Sequence, residues 1–130
     1  MPWTYQQASG CFTDPNGAIQ AVAYSGNGPD KNNPASEALE GHGPIPRGLW
    51  TAVSVLAEHP HLGPFVIVLE PDDETRAKVL AYGRDPDSFR IHGERVNPPY
   101  GEASDGCIVT SRDIRQLFWQ SGDREVLVKE

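Results

Sequence analysis

A histidine and a cysteine stand in this chain at a spacing that suits nucleophilic chemistry. His92 precedes a glycine, and Cys107 follows 15 positions later, directly after Ser104-Asp105-Gly106. A thiol is a strong nucleophile only as the thiolate, and a nearby imidazole can take its proton. Gly93 and Gly106 lack a Cβ, so a substrate can approach the backbone closely. The pattern predicts a cysteine acyl-transfer enzyme with Cys107 as nucleophile and His92 as base.

Several neighbours of this pair are candidates for supporting roles. The amides of Gly106 and Cys107 can stabilise the oxyanion that forms at an attacked carbonyl. Ser104 either donates to the substrate or braces the turn, and beside it Asp105 suits a turn position better than a general acid. Tyr24, at the end of a predicted strand, either packs in the core or forms a wall of the cleft.

Length and charge limit the class of protein. With 130 residues we expect one domain spanning 1–130, of a size that buries an adequate core. The net charge of −7 argues against nucleic acid as a partner. No apolar run is long enough to insert into a membrane. The first thirty residues contain neither Lys nor Arg, and no signal peptide is evident, which predicts synthesis in the cytoplasm without one.

The remaining cysteine and the histidine pair predict no cofactor and no metal. Cys11 is expected to be a small buried residue on a strand, and a disulfide with Cys107 would inactivate the nucleophile. His59 and His61 lack a clear third ligand, so they make a poor zinc site.

The order of predicted elements indicates a mainly β fold with one or two short helices. A turn at Asp14–Gly17 predicts a hairpin, and Ser25–Pro46 is predicted to be mostly loop. Strands are predicted at 49–56, 65–69, 89–91, 107–109 and 125–128, and helices at 72–82 and after Thr110-Ser111. In the second helix Ile114, Leu117 and Phe118 are predicted to face the core.

His92-Gly93 followed by Ser104-Asp105-Gly106-Cys107 resembles the catalytic motif of L,D-transpeptidases, which is His-Gly, a spacer, then Ser-x-Gly-Cys. Further stretches are similar to a small L,D-transpeptidase-like family that was once known only as a domain of unknown function. These stretches are Tyr24–Gly28, Asn32–Pro34, Gly43–Trp50 and Phe89–Gly93. That family includes type VI secretion effectors that attack peptidoglycan in a rival bacterium. The resemblance runs from about Trp3 to Val128.

The resemblance implies an L,D-transpeptidase-like β-sandwich and a specific reaction. Cys107 would attack the carbonyl of the third residue of a peptidoglycan tetrapeptide stem and release the terminal D-alanine. Water would complete L,D-carboxypeptidase cleavage, a free D-amino acid would complete exchange, and an amine of another stem would complete a crosslink. Loss of stems would make the protein an antibacterial toxin. Its implied partners are stem peptides, a cognate immunity protein, and secretion machinery or a chaperone, with action in the periplasm of a target cell.

The chain departs from the L,D-transpeptidase pattern after the cysteine. Many of those enzymes carry an arginine two positions later, where this chain has Val109. Arg112 comes five positions after Cys107 and either takes over binding of the substrate carboxylate or lies on a solvated helix turn. In the resembling enzymes a backbone carbonyl commonly orients the catalytic histidine, so no acidic partner of His92 is required.

Three alternatives remain open from the sequence. A papain-like peptidase would place its cysteine before the histidine at a helix start, whereas Cys11 precedes a hairpin turn. A non-catalytic peptidoglycan-binding module would keep the fold without the chemistry. A resident cell-wall L,D-transpeptidase would share the site without being a toxin.

Overall fold

The structure is a computed structural model that describes residues 2–130, and it contains nine β-strands and two α-helices in that range. The strands are β1 (Trp3–Gln6), β2 (Cys11–Thr13), β3 (Ile19–Val22), β4 (Tyr24–Ser25), β5 (Gly48–His59), β6 (Gly63–Pro71), β7 (Arg90–His92), β8 (Ile108–Val109) and β9 (Glu125–Lys129). The helices are α1 (Asp73–Ala81) and α2 (Arg112–Gln120). The predicted mainly β fold with short helices is confirmed.

One nine-stranded sheet carries the fold and nearly closes on itself. Its strand order is β3-β2-β1-β9-β5-β6-β7-β8-β4. The two edge strands, β3 and β4, are separated in the chain only by Ala23. Before Ala23 the chain forms β3, which pairs with β2 at one edge of the sheet. After Ala23 it forms β4, which pairs with β8 at the other edge. This switch brings the first quarter of the chain to the strand that follows Cys107.

The core is aromatic at two places along the sheet. Trp3, Phe12 and Phe118 form one cluster, in which the Trp3 and Phe118 rings meet edge to face with centroids 5.3 Å apart. Trp50 and Phe89 form a second contact, with centroids 4.9 Å apart. Such pairs add to the hydrophobic stabilisation from burial alone. The second contact anchors the residue immediately before β7, and thus the strand that carries His92.

Both helices begin where the capping residues predict. The Asp72 side chain accepts from the Thr75 amide at the start of α1, and the Ser111 hydroxyl accepts from the Ile114 amide at the start of α2. The prediction that Leu117 faces the core is wrong, because 44% of that residue is exposed. Arg115 is buried instead, since its guanidinium finds backbone carbonyls to bind.

Candidate active site

His92 ends β7 and is almost completely buried, with 2% of its surface exposed. Its Nδ1 lies 2.8 Å from the carbonyl oxygen of Gly93, a distance that suits donation from the ring. This contact fixes the ring and leaves Nε2 as the nitrogen available to accept a proton. The orienting group is thus a backbone carbonyl.

Cys107 directly precedes β8, which pairs in parallel with β7. The ladder pairs Ile91 with Ile108 and His92 with Val109, so Cys107 falls beside Arg90. Arg90 and His92 share one face of β7, because side chains alternate along a strand. Cys107 itself lies in the bend that leads into β8, beside that strand. Along the strand direction His92 and Cys107 are offset by two positions, which puts their Cα atoms roughly 8 Å apart by strand spacing and rise. The thiol itself lies 3.7 Å from the Ser88 carbonyl, to which it donates.

Residues 104–107 form a turn, here called the nucleophile turn, and its serine is an internal brace. The buried Ser104 hydroxyl donates to the Cys107 carbonyl at 2.5 Å and accepts from the amides of Gly26 and Gly106. The hydroxyl therefore braces the turn, which was one of the two roles expected for it. The Gly106 amide is engaged with Ser104 at 3.0 Å, which leaves the Cys107 amide as the oxyanion candidate.

The long loop of residues 25–46 supports this turn. The Ser25 hydroxyl donates to the Gly106 carbonyl at 2.9 Å, and the Asn27 side-chain amide donates to the Ser104 carbonyl at 2.9 Å. The loop itself is ordered by two short 3-10 turns, Gly28–Asp30 and Pro34–Ser36. This Gly- and Asn-rich loop therefore supports the nucleophile turn from behind.

Each glycine of the motif rests on a buried arginine. A Cβ at Gly106 would lie 2.3 Å from Arg84 Nη2, and a Cβ at Gly93 would lie 3.1 Å from Arg115 Nη1. Arg115 donates to the carbonyls of Thr110, Pro64 and Phe65. The small residues thus allow two guanidinium groups to pack directly beneath the segments that carry His92 and Cys107.

Burial sets the protonation of the pair in the resting protein. Burial lowers the pKa of His92 below its usual 6.5, against the opposing effect of the hydrogen bond to Gly93. Burial raises the pKa of Cys107 to about 11, against the effects of the Arg90 backbone hydrogen bond and charge and of the Arg84 charge. At neutral pH the site therefore holds a neutral imidazole and a protonated thiol. For the sulfur to act as a nucleophile, the thiol would have to lose its proton during the attack itself.

A cleft of about 720 Å³ opens beside His92. Four of the predicted site residues line it, namely His92, Gly93, Asp105 and Arg112. Its other charged or titratable walls are His59, His61, Glu94, Arg95, Glu102 and Arg115. Asp105 also lines a smaller depression of about 250 Å³ with Arg84 and Ser88, on the side toward which the Cys107 thiol points. Asp105 thus lines both depressions, whereas Cys107 is not among the described residues that line either one.

Tyr24 does not line this cleft but contacts Glu94, which does. Its hydroxyl lies 2.8 Å from both Glu94 carboxylate oxygens and accepts from the Ala103 amide at 3.1 Å. Glu94 itself lines the cleft, whereas Tyr24 is not among the described residues that do. Tyr24 thus holds the segment between His92 and Cys107 against β4.

Cys11 and Cys107 are both free thiols, and Cys11 is half-buried on β2. The His59 and His61 rings lie 6.1 Å apart, and residues 2–130 include no group of three or more histidine, cysteine or acidic side chains arranged to bind a metal. Over the same residues, no helix has the length and apolar character needed to cross a bilayer.

Four residues that the sequence did not single out belong to the surroundings of the pair. They are Arg84, Arg90, Glu94 and Arg115. Arg90 and Glu94 lie within two positions of His92, and that proximity was a usable signal. Arg84 and Arg115 had none, because their partners are backbone carbonyls that are distant in the sequence.

Comparison with known proteins supplies a family for this arrangement. No curated protein matches the chain. The family profile described as the Tlde1 domain matches residues 19–128, which include His92, the nucleophile turn and both buried arginines. This is the effector family to which the motifs pointed. The chain therefore belongs to the Tlde1 domain family.

Proposed function

We propose that the protein is a cysteine acyl-transfer enzyme that acts on peptidoglycan tetrapeptide stems, as an L,D-carboxypeptidase or by L,D-transpeptidase exchange. The observation that carries the proposal is the pairing of β7, which ends at His92, with β8, which directly follows Cys107, together with the contact that orients the imidazole on the Gly93 carbonyl. Membership of an effector family supports an antibacterial role. The whole chain, 1–130, then acts as one catalytic domain.

The reaction follows from the protonation of the resting pair. Nε2 of His92 accepts the Cys107 proton as the sulfur attacks the carbonyl of the third stem residue. The Cys107 amide stabilises the resulting oxyanion. Collapse of this intermediate breaks the bond to the terminal D-alanine, whose amine takes the proton from the imidazolium. Water or a second amine then attacks the acyl-enzyme, with His92 again as base, and frees the thiol.

Substrate binding is assigned to the cleft of about 720 Å³ beside His92. A tetrapeptide stem carries several carboxylates, and a guanidinium binds a carboxylate through two parallel hydrogen bonds. Arg112 is exposed at the start of α2 and lines this cleft, which suits that role. Asp105 lines both the cleft and the smaller depression beside Ser88, and it lies on the turn that carries the thiol, which suits contact with the substrate near the sulfur. Tyr24 contributes to substrate binding indirectly, because it holds Glu94 in the wall of the cleft. Gly93 and Ser104 contribute by setting the shape of the site.

An effector of this kind implies protein partners. We expect a cognate immunity protein that blocks the cleft, and secretion machinery or a chaperone that delivers the enzyme. The site of action would then be the periplasm of a target bacterium, where peptidoglycan is accessible.

The decisive experiment is incubation of the protein with purified muropeptides, followed by mass spectrometry of the products. Wild-type protein should remove the terminal D-alanine or exchange it for an added D-amino acid. Cys107→Ala should keep the fold and lose both products, whereas Cys11→Ala should retain most of the activity because Cys11 lies on β2, outside the site. Full activity of Cys107→Ala would exclude the acyl-enzyme mechanism. Muropeptide binding without turnover by the wild type would indicate a binding module.

A further inference from the structure

Arg84 connects the nucleophile turn to the long loop behind it. The residue is buried, with 4% of its surface exposed. Its Nη1 donates to the carbonyls of Glu37 and Pro44 at 2.7 and 2.8 Å, and its Nη2 donates to those of Gly43 and Asp105 at 3.2 Å each. One guanidinium thus joins three separate parts of the chain: the end of α1, the loop of residues 37–44, and the turn that carries Cys107.

The guanidinium is held tightly between its neighbours. Its Cζ lies 5.0 Å from the centre of the Phe89 ring, a cation–π arrangement. The space that a Cβ would take at Gly106 is occupied by Nη2 and borders the Phe89 ring, and Gly106 has a φ of +138°. The glycine before the nucleophile is therefore required by Arg84 as well as by its own backbone conformation.

The charge of Arg84 lacks a carboxylate partner among residues 2–130. A buried charge is costly unless it is compensated, and carbonyl oxygens compensate it only in part. Nη2 of Arg84 donates to the Asp105 carbonyl and fills the space beside Gly106, and these are the two residues directly before Cys107. The cation therefore lies beside the place where negative charge must develop during the reaction.

We propose that Arg84 is a positioning residue for Cys107. Arg84 fixes the nucleophile turn against the Gly43–Pro44 segment, and its positive charge stabilises the Cys107 thiolate as a counter-charge. The inference rests on the proposed function only in assigning Cys107 as the nucleophile. Its electrostatic part concerns the thiol alone and can be measured without any peptidoglycan substrate.

The test compares Arg84→Gln and Arg84→Lys in a Cys11→Ala background, so that Cys107 is the single thiol. The rate of alkylation by iodoacetamide is followed from pH 7 to 10, and kcat and KM are measured with muropeptides. Loss of the charge in Arg84→Gln should slow alkylation at pH 8 by about three- to tenfold. Arg84→Lys keeps the charge but not the fork of donors, so alkylation should stay within about twofold while kcat falls by roughly tenfold or more.

Arg76→Lys is the matched control, because the one ion pair of Arg76 is with Asp87 at the surface. It should match the wild type in both measurements. A folded Arg84→Gln with an unchanged alkylation profile would overturn the counter-charge, and an unchanged kcat in Arg84→Lys would overturn the positioning role. Should Arg84→Gln fail to fold, a lysine variant that matches the wild type in both readouts overturns the proposal. A wild type without muropeptide activity refutes the proposed function and leaves the alkylation test intact.

Discussion

Replacing Gly106 with alanine should damage the nucleophile turn more than an equivalent change at another left-handed glycine. The added Cβ would lie 2.3 Å from Arg84 Nη2 and 3.0 Å from the Phe89 ring. Neither neighbour can move freely, since Arg84 is bound to four carbonyls and Phe89 packs on Trp50. Gly17 is the matched control: its φ is +89°, and a Cβ there would meet nothing within 4 Å.

The expected cost at each glycine follows from these two environments. A side chain in a left-handed conformation costs about 1–2 kcal/mol, which is the whole penalty at Gly17. Overpacking adds about 1–3 kcal/mol at Gly106, for a total of about 2–5 kcal/mol. In a chain of 130 residues, 1 kcal/mol lowers the melting temperature by roughly 4 °C. Gly17→Ala should therefore melt about 4–8 °C below the wild type, and Gly106→Ala about 8–20 °C below.

Thermal unfolding followed by circular dichroism measures this difference, and muropeptide turnover measures its effect on the site. Gly106→Ala should lose most of its activity at temperatures where it is still folded, because the turn carries the thiol. Gly17→Ala should remain active. Equal melting temperatures for the two variants, together with equal turnover, would refute the claim that Arg84 constrains the turn.

Four further outcomes are expected. Activity should rise with pH through an apparent pKa below 6.5, because burial lowers the pKa of His92 and the base must be neutral. Measurement of kcat/KM from pH 4 to 9 tests this expectation. The same burial should lower the free energy of unfolding as pH falls from 6.5 through that pKa, since the unfolded state binds the proton more readily. Tyr24→Phe removes the contact with Glu94 and should cost about 1 kcal/mol, with faster proteolysis of residues 94–104. Expression in the bacterial cytoplasm should be tolerated, whereas a signal-peptide fusion should cause rounding or lysis, and His92→Ala should weaken that effect.

Each of these expectations has a control and a contrary result. A rate that falls between pH 6 and 8 would contradict the neutral imidazole as base. Tyr100→Phe controls for Tyr24→Phe, because the Tyr100 ring is mostly exposed and its hydroxyl makes only a 3.4 Å contact with the Val96 carbonyl. Unchanged proteolysis in Tyr24→Phe would mean that the Glu94 contact does not hold the segment. Equal toxicity from both compartments would point to a cytoplasmic target.

Local patterns in the sequence were sufficient for the elements that carry the site. The turn at Asp14–Gly17 and the caps at Asp72 and Ser111 depend on hydrogen bonds between residues close in the chain. The strand that ends at His92 was also predicted, although its partners in β6 and β8 are distant in the sequence. The His-Gly and Ser-x-Gly-Cys motifs likewise identified the family, which the match over residues 19–128 confirms. The roles of His92 and Cys107 remain predictions from that pattern.

The tertiary structure alone decided how these elements meet. The offset of Cys107 beside Arg90 comes from the register of two strands that are separated by a long loop. In α2, Phe118 and Ile114 face the core as predicted, whereas Leu117 is exposed. Arg115 is buried because its guanidinium binds carbonyls of a distant strand. Arg84 is the clearest case: its four partners are backbone oxygens, and a backbone carbonyl has the same chemistry at every residue. No pattern of side chains in the sequence can therefore predict such a partner, and only the folded structure shows it.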